Sequence, residues 1–196
     1  MRLANVERGD RIPARLFYRF IRAVSGFRAS DVMRTLRYRR QLFGGTHSAH
    51  THAVMRGPSE WSVGERELFA AFVSRKNQCQ FCTNAHAAVA ASALDSDPLV
   101  RQVLDDCTTA PIDERLRATL ALLERMTLDH RALGPDDVRR AIKAGVSREA
   151  IQDALEVAFL FNIYDRLADA MGWDIPALGS GYYQVAAKRL LGRGYA

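Results

Sequence analysis

Cysteine is scarce in this sequence, and long apolar runs are missing. Only three of the 196 residues are cysteine. No stretch approaches the roughly 18 apolar residues that a membrane span needs, and residues 1–15 carry charges where a signal peptide has an apolar run. We therefore expect a soluble, cytoplasmic protein with no membrane partner. In that compartment a pair of cysteines is more often catalytic or metal-binding than a structural disulfide.

Acidic residues are scarce in the first third of the chain. Residues 1–60 hold twelve arginines against four acidic residues, whereas residues 61–196 hold sixteen basic residues against eighteen acidic ones. A nucleic-acid footprint is one explanation of this excess. The helical spacing of Arg15, Arg19 and Arg22 favours another, the solvated face of an amphipathic helix that packs on the body or on a neighbouring subunit. We predict a basic helical extension over residues 1–60, a domain over residues 61–196 and no nucleic-acid partner.

Strand patterns and tandem repeats are also missing, and apolar residues recur at helical spacing nearly throughout. Hydrophobic residues make up 48% of the chain, enough for a core at this length. Ser62 and Glu65 match a capping box at the start of one helix. Glycines within residues 43–60 indicate a loop. Further helices are predicted over residues 85–93, 113–128, 135–143 and 148–171. An all-α, single-domain fold follows.

The pattern that carries chemistry is Cys79-Gln-Phe-Cys82-Thr-Asn-Ala-His86. On a helix that opens at Cys79, the two cysteines and the histidine lie at i, i+3 and i+7 on one face. Residues three apart have Cα atoms about 5 Å apart, within the range of a disulfide. A helix N-terminus stabilises a thiolate, and His86 follows Cys82 by one turn, where it can accept the thiol proton. The spacing therefore favours a nucleophilic sulfur beside a resolving sulfur.

Glu67 is the candidate partner of His86. It lies at the edge of the apolar stripe of the preceding helix, and it reaches the histidine if that helix pairs antiparallel with the cysteine helix. The alternative is a solvated glutamate in a first turn, where the helix dipole stabilises it.

A structural zinc site is the main alternative for the cysteines. Cys79, Cys82 and His86 would supply three ligands and Cys107 the fourth. Structural zinc cysteines usually lie on a tight knuckle and not in an alanine-rich helix, so we predict no metal and treat Cys107 as a lone thiol. A zinc-stabilised structural or binding protein remains the alternative function at this point. The histidines of the predicted loop are expected to be exposed without a metal. They are His47, His50 and His52.

A second nucleic-acid pattern runs from Val138 to Leu155, which has the outline of a helix-turn-helix. Residues 135–155 carry four basic and four acidic residues, so no positive recognition face results.

Two separated blocks resemble one known superfamily. Glu67, eleven residues, then Cys79-x-x-Cys82-x-x-x-His86 resembles the pattern of the alkylhydroperoxidase-D-like and carboxymuconolactone-decarboxylase-like proteins. The lead-in Trp61-Ser-Val-Gly-Glu-Arg-Glu-Leu68 is also similar. The downstream stretch Phe161-Asn-Ile-Tyr-Asp-Arg-Leu-Ala-Asp-Ala resembles the peroxidase-related branch in particular. The likeness covers about residues 60–175.

The resemblance implies an AhpD-like multi-helix fold that assembles as a homo-oligomer and reduces alkyl hydroperoxides. It implies that Cys82 becomes the sulfenic acid and that Cys79 is the more accessible partner, which forms the disulfide and meets the reductant. His86 and Glu67 match the proton relay. No cofactor is implied beyond the redox-active Cys79–Cys82 disulfide. The implied partners are a small hydroperoxide and a dithiol reductant, a lipoyl or thioredoxin-like protein.

The sequence departs from that pattern at Phe81, where reductase-type members often place a second histidine. The decarboxylase branch typically lacks the cysteine pair, so a carboxymuconolactone decarboxylase-like lyase is the alternative activity. Asn162 and Arg166 fall on a predicted apolar stripe that runs through Phe159. They are expected to form a structural network, with Arg166 pairing with Asp169 or a helix end, or else to line the pocket or a subunit contact.

Overall fold

The computed structural model describes residues 1–38, 41 and 44–195, and every regular element in these ranges is helical. The all-α prediction is confirmed. None of the described helices is long and apolar enough to cross a membrane. In chain order the helices are α1 (Ala4–Arg8), α2 (Ile12–Ser25), α3 (Asp31–Tyr38), α4 (Gly45–Arg56), α5 (Val63–Lys76), α6 (Gln80–Ala93), α7 (Asp97–Asp105), α8 (Glu114–Leu128), α9 (Pro135–Lys143), α10 (Arg148–Met171) and α11 (Tyr182–Arg193), with a 3-10 turn at Leu178–Ser180.

Helix α5 lies at the centre of the fold. Its first turn carries the predicted capping box: the Glu65 amide donates to Ser62 Oγ, and the Ser62 amide donates to a Glu65 carboxylate oxygen. The helix packs against α6, α10 and α8, and α6 packs in addition against α11. Ten of the fourteen residues of α5 are buried, so α5 is a core helix and has no solvated face of any width. This position lets α5 contact both the cysteine helix and α10.

Residues 43–60 were predicted to be a loop; the prediction is wrong for residues 45–56, which are helical, and confirmed for residues 57–60, whereas Phe43 lies outside the described residues. Helix α4 occupies Gly45–Arg56 and ends at Gly57. It forms because Thr51, Val54 and Met55 are buried against the core, and this burial outweighs the glycines at its start. Its three histidines therefore lie on a helix and not in a loop.

The apolar stripe predicted along α10 is also wrong in its phase. Phe159 is 53% exposed, and Arg166 is exposed as well. The side that faces the core carries Asp165, which is fully buried. The error arises because α10 is apolar over much of its circumference, so the 3.6-residue period fits more than one face. The other buried residues of this side are Ala150, Ile151, Ala154, Val157, Ala158, Leu160, Phe161, Tyr164 and Ala168.

Candidate active site

The turn between α5 and α6 directs the two cysteines inward. Gln78 has a left-handed backbone conformation (φ 62°), and the Cys79 amide donates to the Ser74 carbonyl at 2.9 Å. A non-glycine residue with positive φ is uncommon, and here it reverses the chain so that α6 begins at Gln80 with Cys79 as its N-cap. The thiols of Cys79 and Cys82 therefore face the core side of α6.

Both thiols are free and lie within a small cluster of polar groups. The sulfur atoms of Cys79 and Cys82 and a carboxylate oxygen of Asp165 all lie within 4.8 Å of one another. Cys79 is 0% exposed and Cys82 is 3% exposed. Both residues are therefore buried, and the expectation that Cys79 is the more accessible sulfur stays a prediction.

Asp165 was not among the predicted site residues. Its carboxylate accepts hydrogen bonds from Ser74 Oγ at 2.7 Å and from Asn77 Nδ2 at 2.8 Å, both at the end of α5. Burial raises the pKa of Asp165, although the bonds from Asn77 and Ser74 oppose this rise. A hydrogen bond with Cys79, burial and the negative charge of Asp165 together raise the pKa of the Cys82 thiol well above its usual value.

Glu67 and His86 are in direct contact across the α5–α6 interface. The distance from His86 Nδ1 to Glu67 Oε2 is 2.6 Å, and Glu67 is fully buried, so it is not the solvated glutamate of the alternative interpretation. Because Nδ1 donates to the carboxylate, Nε2 is the ring nitrogen left to accept a proton in the neutral ring. The imidazole also packs edge-on against Phe161, with ring centroids 4.4 Å apart.

Two further groups, which the sequence did not indicate, complete the surroundings of Glu67. Arg56 Nη2 donates to Glu67 Oε1 at 2.6 Å, and the Tyr195 hydroxyl donates to the same oxygen at 2.8 Å. Burial alone would raise the pKa of Glu67, but the hydrogen bond and charge of His86, the charge of Arg56 and the bond from Tyr195 outweigh burial and hold that pKa below its usual value. Burial raises the pKa of Tyr195, so its hydroxyl stays protonated and remains a donor.

The remaining predicted residues lie at the margin of the site. Phe81 is buried and packs edge-on against Trp173, with ring centroids 5.5 Å apart. Arg166 Nη1 donates to the carbonyl and the side-chain oxygen of Asn162, both at 2.9 Å, and not to Asp169 as expected. Asn162 Oδ1 also accepts from Asn77 Nδ2 at 3.2 Å, which connects this pair to the partners of Asp165.

The ligand set of the zinc alternative is not assembled. Among the described residues, the donor atoms that come together are those of Cys79, Cys82 and Asp165, and neither His86 nor Cys107 joins them. A structural zinc site requires four ligands, and this cluster supplies three. The arrangement is instead a pair of thiols with a carboxylate beside it.

No protein-family model and no curated protein matches the chain. Its fold is similar to that of solved structures described as peroxidase-related or alkylhydroperoxidase proteins. An uncharacterized peroxidase-related protein from Silicibacter sp. TM1040 superposes with a TM-score of 0.74 at 23% identity, over 87% of this chain and 88% of that one. The alkylhydroperoxidase AhpD core protein of Ralstonia eutropha JMP134, also peroxidase-related and uncharacterized, gives 0.72 at 22%, over 89% and 90%. The debrominase Bmp8 gives 0.70 at 16%, over 91% and 94%. The chain therefore has the AhpD-like helical fold.

Proposed function

We propose that this protein is a thiol-dependent hydroperoxide reductase in which Cys79 and Cys82 form the redox pair. The observation that carries the proposal is the pair itself: two free, adjacent thiols at the start of a helix, buried beside a carboxylate. A fold alone does not define a reaction, and the debrominase among the similar structures illustrates this. The proposal therefore rests on the site and on the sequence pattern around it.

The reaction has two covalent steps. The Cys82 thiolate attacks the terminal oxygen of the hydroperoxide, so that an S–O bond forms, the O–O bond breaks and the alkoxide leaves with a proton as the alcohol. Cys82 is then a sulfenic acid. Cys79 attacks that sulfur, the S–O bond breaks, water leaves, and a Cys79–Cys82 disulfide remains.

His86 and Glu67 serve this pair as a proton relay. The anionic Glu67 fixes the tautomer of His86 and leaves Nε2 as the proton-accepting nitrogen. Arg56 and Tyr195 keep Glu67 ionised and in place. The relay exchanges the protons that the thiols lose and regain over one catalytic cycle.

The cycle closes when an external dithiol protein, of the lipoyl or thioredoxin-like kind, reduces the disulfide by thiol–disulfide exchange. The protein needs no cofactor besides its own disulfide. We further propose that the chain works as a homo-oligomer. Helix α2 supports this, because a row of apolar side chains at four-residue spacing lies exposed on it, between 59% and 71% for each residue, an arrangement typical of interaction surfaces. The row consists of Ile12, Leu16, Phe20 and Val24.

Hydroperoxide consumption by cysteine variants tests the proposal. With cumene hydroperoxide and dithiothreitol, the wild type is expected to turn over, whereas Cys82→Ser loses turnover because the nucleophile is gone. Treated with peroxide in the absence of dithiothreitol, Cys79→Ser is expected to stop at the sulfenic acid, which dimedone labels. Cys107→Ser is the matched control, since Cys107 is buried and lies outside the cluster, and it should keep full activity. Undiminished turnover by Cys82→Ser would remove this residue from the role.

A further inference from the structure

Asp165 is a buried charged group that the relay of His86 and Glu67 does not use. It is fully buried on α10, and among the described residues it forms no ion pair with an arginine or a lysine. Its two hydrogen-bond donors, Ser74 and Asn77, are neutral. The titratable groups that face it are Cys79, Cys82 and, at longer range, His86, all from α6 or its N-cap, whereas Glu67 of α5 is engaged by His86. A carboxylate without a cation at such a position requires an explanation.

The position of Asp165 relative to the two sulfur atoms explains why a carboxylate without a cation lies here. Its carboxylate oxygen belongs to the group of atoms within 4.8 Å of both sulfurs, and His86 does not. A thiolate formed in this buried place would add a second negative charge if the thiol proton went to bulk water. If the proton instead moves to Asp165, the net charge of the cluster stays the same, and the cost of a second buried charge is avoided.

We propose that Asp165 is a catalytic residue of the thiol pair, which takes the proton of Cys82 as the sulfur attacks and returns it to the leaving alkoxide. This rests on the proposed function. In the first step the S–H proton moves to the carboxylate, the S–O bond forms and the O–O bond breaks. The carboxylic acid then gives its proton to the alkoxide, so that an alcohol leaves and the carboxylate is restored. His86 and Glu67 remain the route by which protons are exchanged in the second step and during reduction.

The surroundings of Asp165 favour both proton transfers, from the Cys82 thiol and to the alkoxide. Burial raises the pKa of Asp165 and so makes it a stronger base than an exposed aspartate. A carboxyl group with a raised pKa can also be held protonated long enough to act as an acid. Ser74 and Asn77 hold the carboxylate in one orientation, so it needs no reorganisation during the transfer.

Single-turnover oxidation as a function of pH tests this assignment. Reduced protein is mixed with excess cumene hydroperoxide, quenched at intervals with an alkylating agent, and its remaining thiols are counted. The wild-type rate should fall toward acid pH as Asp165 becomes protonated. Asp165→Asn is expected to react about 100-fold more slowly at neutral pH, with a rate that rises about tenfold per pH unit because the proton then goes to solvent. Asp165→Glu should restore part of the rate.

A fast Asp165→Asn variant would overturn the assignment. If Asp165 merely disfavours the thiolate by its charge, Asp165→Asn will react as fast as the wild type or faster at every pH. Thr119→Val is the matched control, because it removes a fully buried hydroxyl of α8 that donates to the Arg115 carbonyl, and it should leave the rate unchanged. If the wild type itself loses no thiols, the proposed function fails, whatever the variants do.

A second pair of variants covers the case in which Asp165→Asn does not fold, as judged by circular dichroism. Ser74→Ala and Asn77→Ala keep the carboxylate and each remove one of its donors. Loss of a donor raises the pKa of Asp165 further, so the acid limb of the rate profile should move to higher pH in both variants. An acid limb that stays in place in both would contradict the assignment.

Discussion

Two buried carboxylates face the same helix of this protein in opposite electrostatic settings. Glu67 has a guanidinium, an imidazole and a hydroxyl around it, and its pKa is lowered. Asp165 has only neutral donors, and its pKa is raised. Burial acts on both alike, so the difference lies in their partners. Glu67 is thus a permanent anion that orients His86, whereas Asp165 is suited to change its protonation state.

Glu67→Gln tests whether the ionised Glu67 carboxylate stabilises the fold. The folded-state pKa of Glu67 lies below its ordinary value of 4.5, so its ionisation stabilises the fold fully above that pH. This contribution is lost as the pH falls through the lower, folded-state pKa. We expect the variant to lose about 3 kcal/mol of unfolding free energy at pH 7, because Arg56 loses its buried partner, and the gap to the wild type to shrink in acid.

Urea unfolding at pH 7 and at about pH 4 and below measures this gap. Glu124→Gln is the control, because Glu124 makes the same kind of pair with Lys76 but is about one-third exposed, and it should change stability little at either pH. A Glu67→Gln gap that stays the same at both pH values would show that ionisation of Glu67 contributes nothing to the fold.

Gly64 controls the approach of two elements, α5 and α6. A Cβ atom at this position would lie 2.6 Å from Cδ2 of Leu94, just beyond the end of α6, and 3.3 Å from Cβ of Ala93. Gly64→Ala is therefore expected to destabilise the protein by about 1 to 3 kcal/mol, since overpacking outweighs the gain in helix propensity. Because α5 and α6 carry Glu67 and His86, the same change should slow peroxide consumption.

Gly192→Ala in α11 is the matched control for Gly64→Ala. Nothing lies within 4 Å of a Cβ atom at Gly192, so this substitution is expected to stabilise the protein by about 0.5 kcal/mol. The double variant Gly64→Ala/Leu94→Ala should recover part of the loss. Urea unfolding gives these values. A Gly64→Ala variant as stable as Gly192→Ala would show that α5 and α6 can accommodate a Cβ atom at position 64.

The elements with local signals were predictable from the sequence, and those that depend on tertiary contacts were not. Ser62 and Glu65 specify the start of α5 within one turn of chain, and the structure confirms this start. Helix α4 has no such signal and forms because the core buries it. Asp165 lies within residues 161–170, the stretch that resembles the peroxidase-related branch, and an acidic residue among the apolar residues of this helix was the signal that could have revealed it.

Arg56 and Tyr195 show the same limit at the site. They reach Glu67 from α4 and from the end of the chain, 11 and 128 positions away in sequence. Spacing on one helix can predict that Cys79, Cys82 and His86 share a side. It cannot predict which arginine or tyrosine the fold brings to a buried carboxylate.

At the scale of the whole molecule, the exposed row on α2 is an apolar surface that the described part of the chain leaves uncovered. Leu16 and Phe20 are 59% and 62% exposed. We expect light scattering to give the mass of an oligomer for the wild type, and Leu16→Asp to shift it toward the monomer because a charge would be buried at the contact. Ile142→Asp, at a single exposed apolar residue of α9, is the control. A monomeric wild type would contradict the proposal.

The count of titratable thiols before and after one equivalent of cumene hydroperoxide shows whether Cys79 and Cys82 form a redox pair. The reduced chain has three thiols. We predict that one equivalent of peroxide removes two of them and leaves Cys107, because the sulfenic acid at Cys82 condenses with Cys79. Three thiols still titratable after the peroxide, or a loss that includes Cys107 and spares Cys82, would contradict the account.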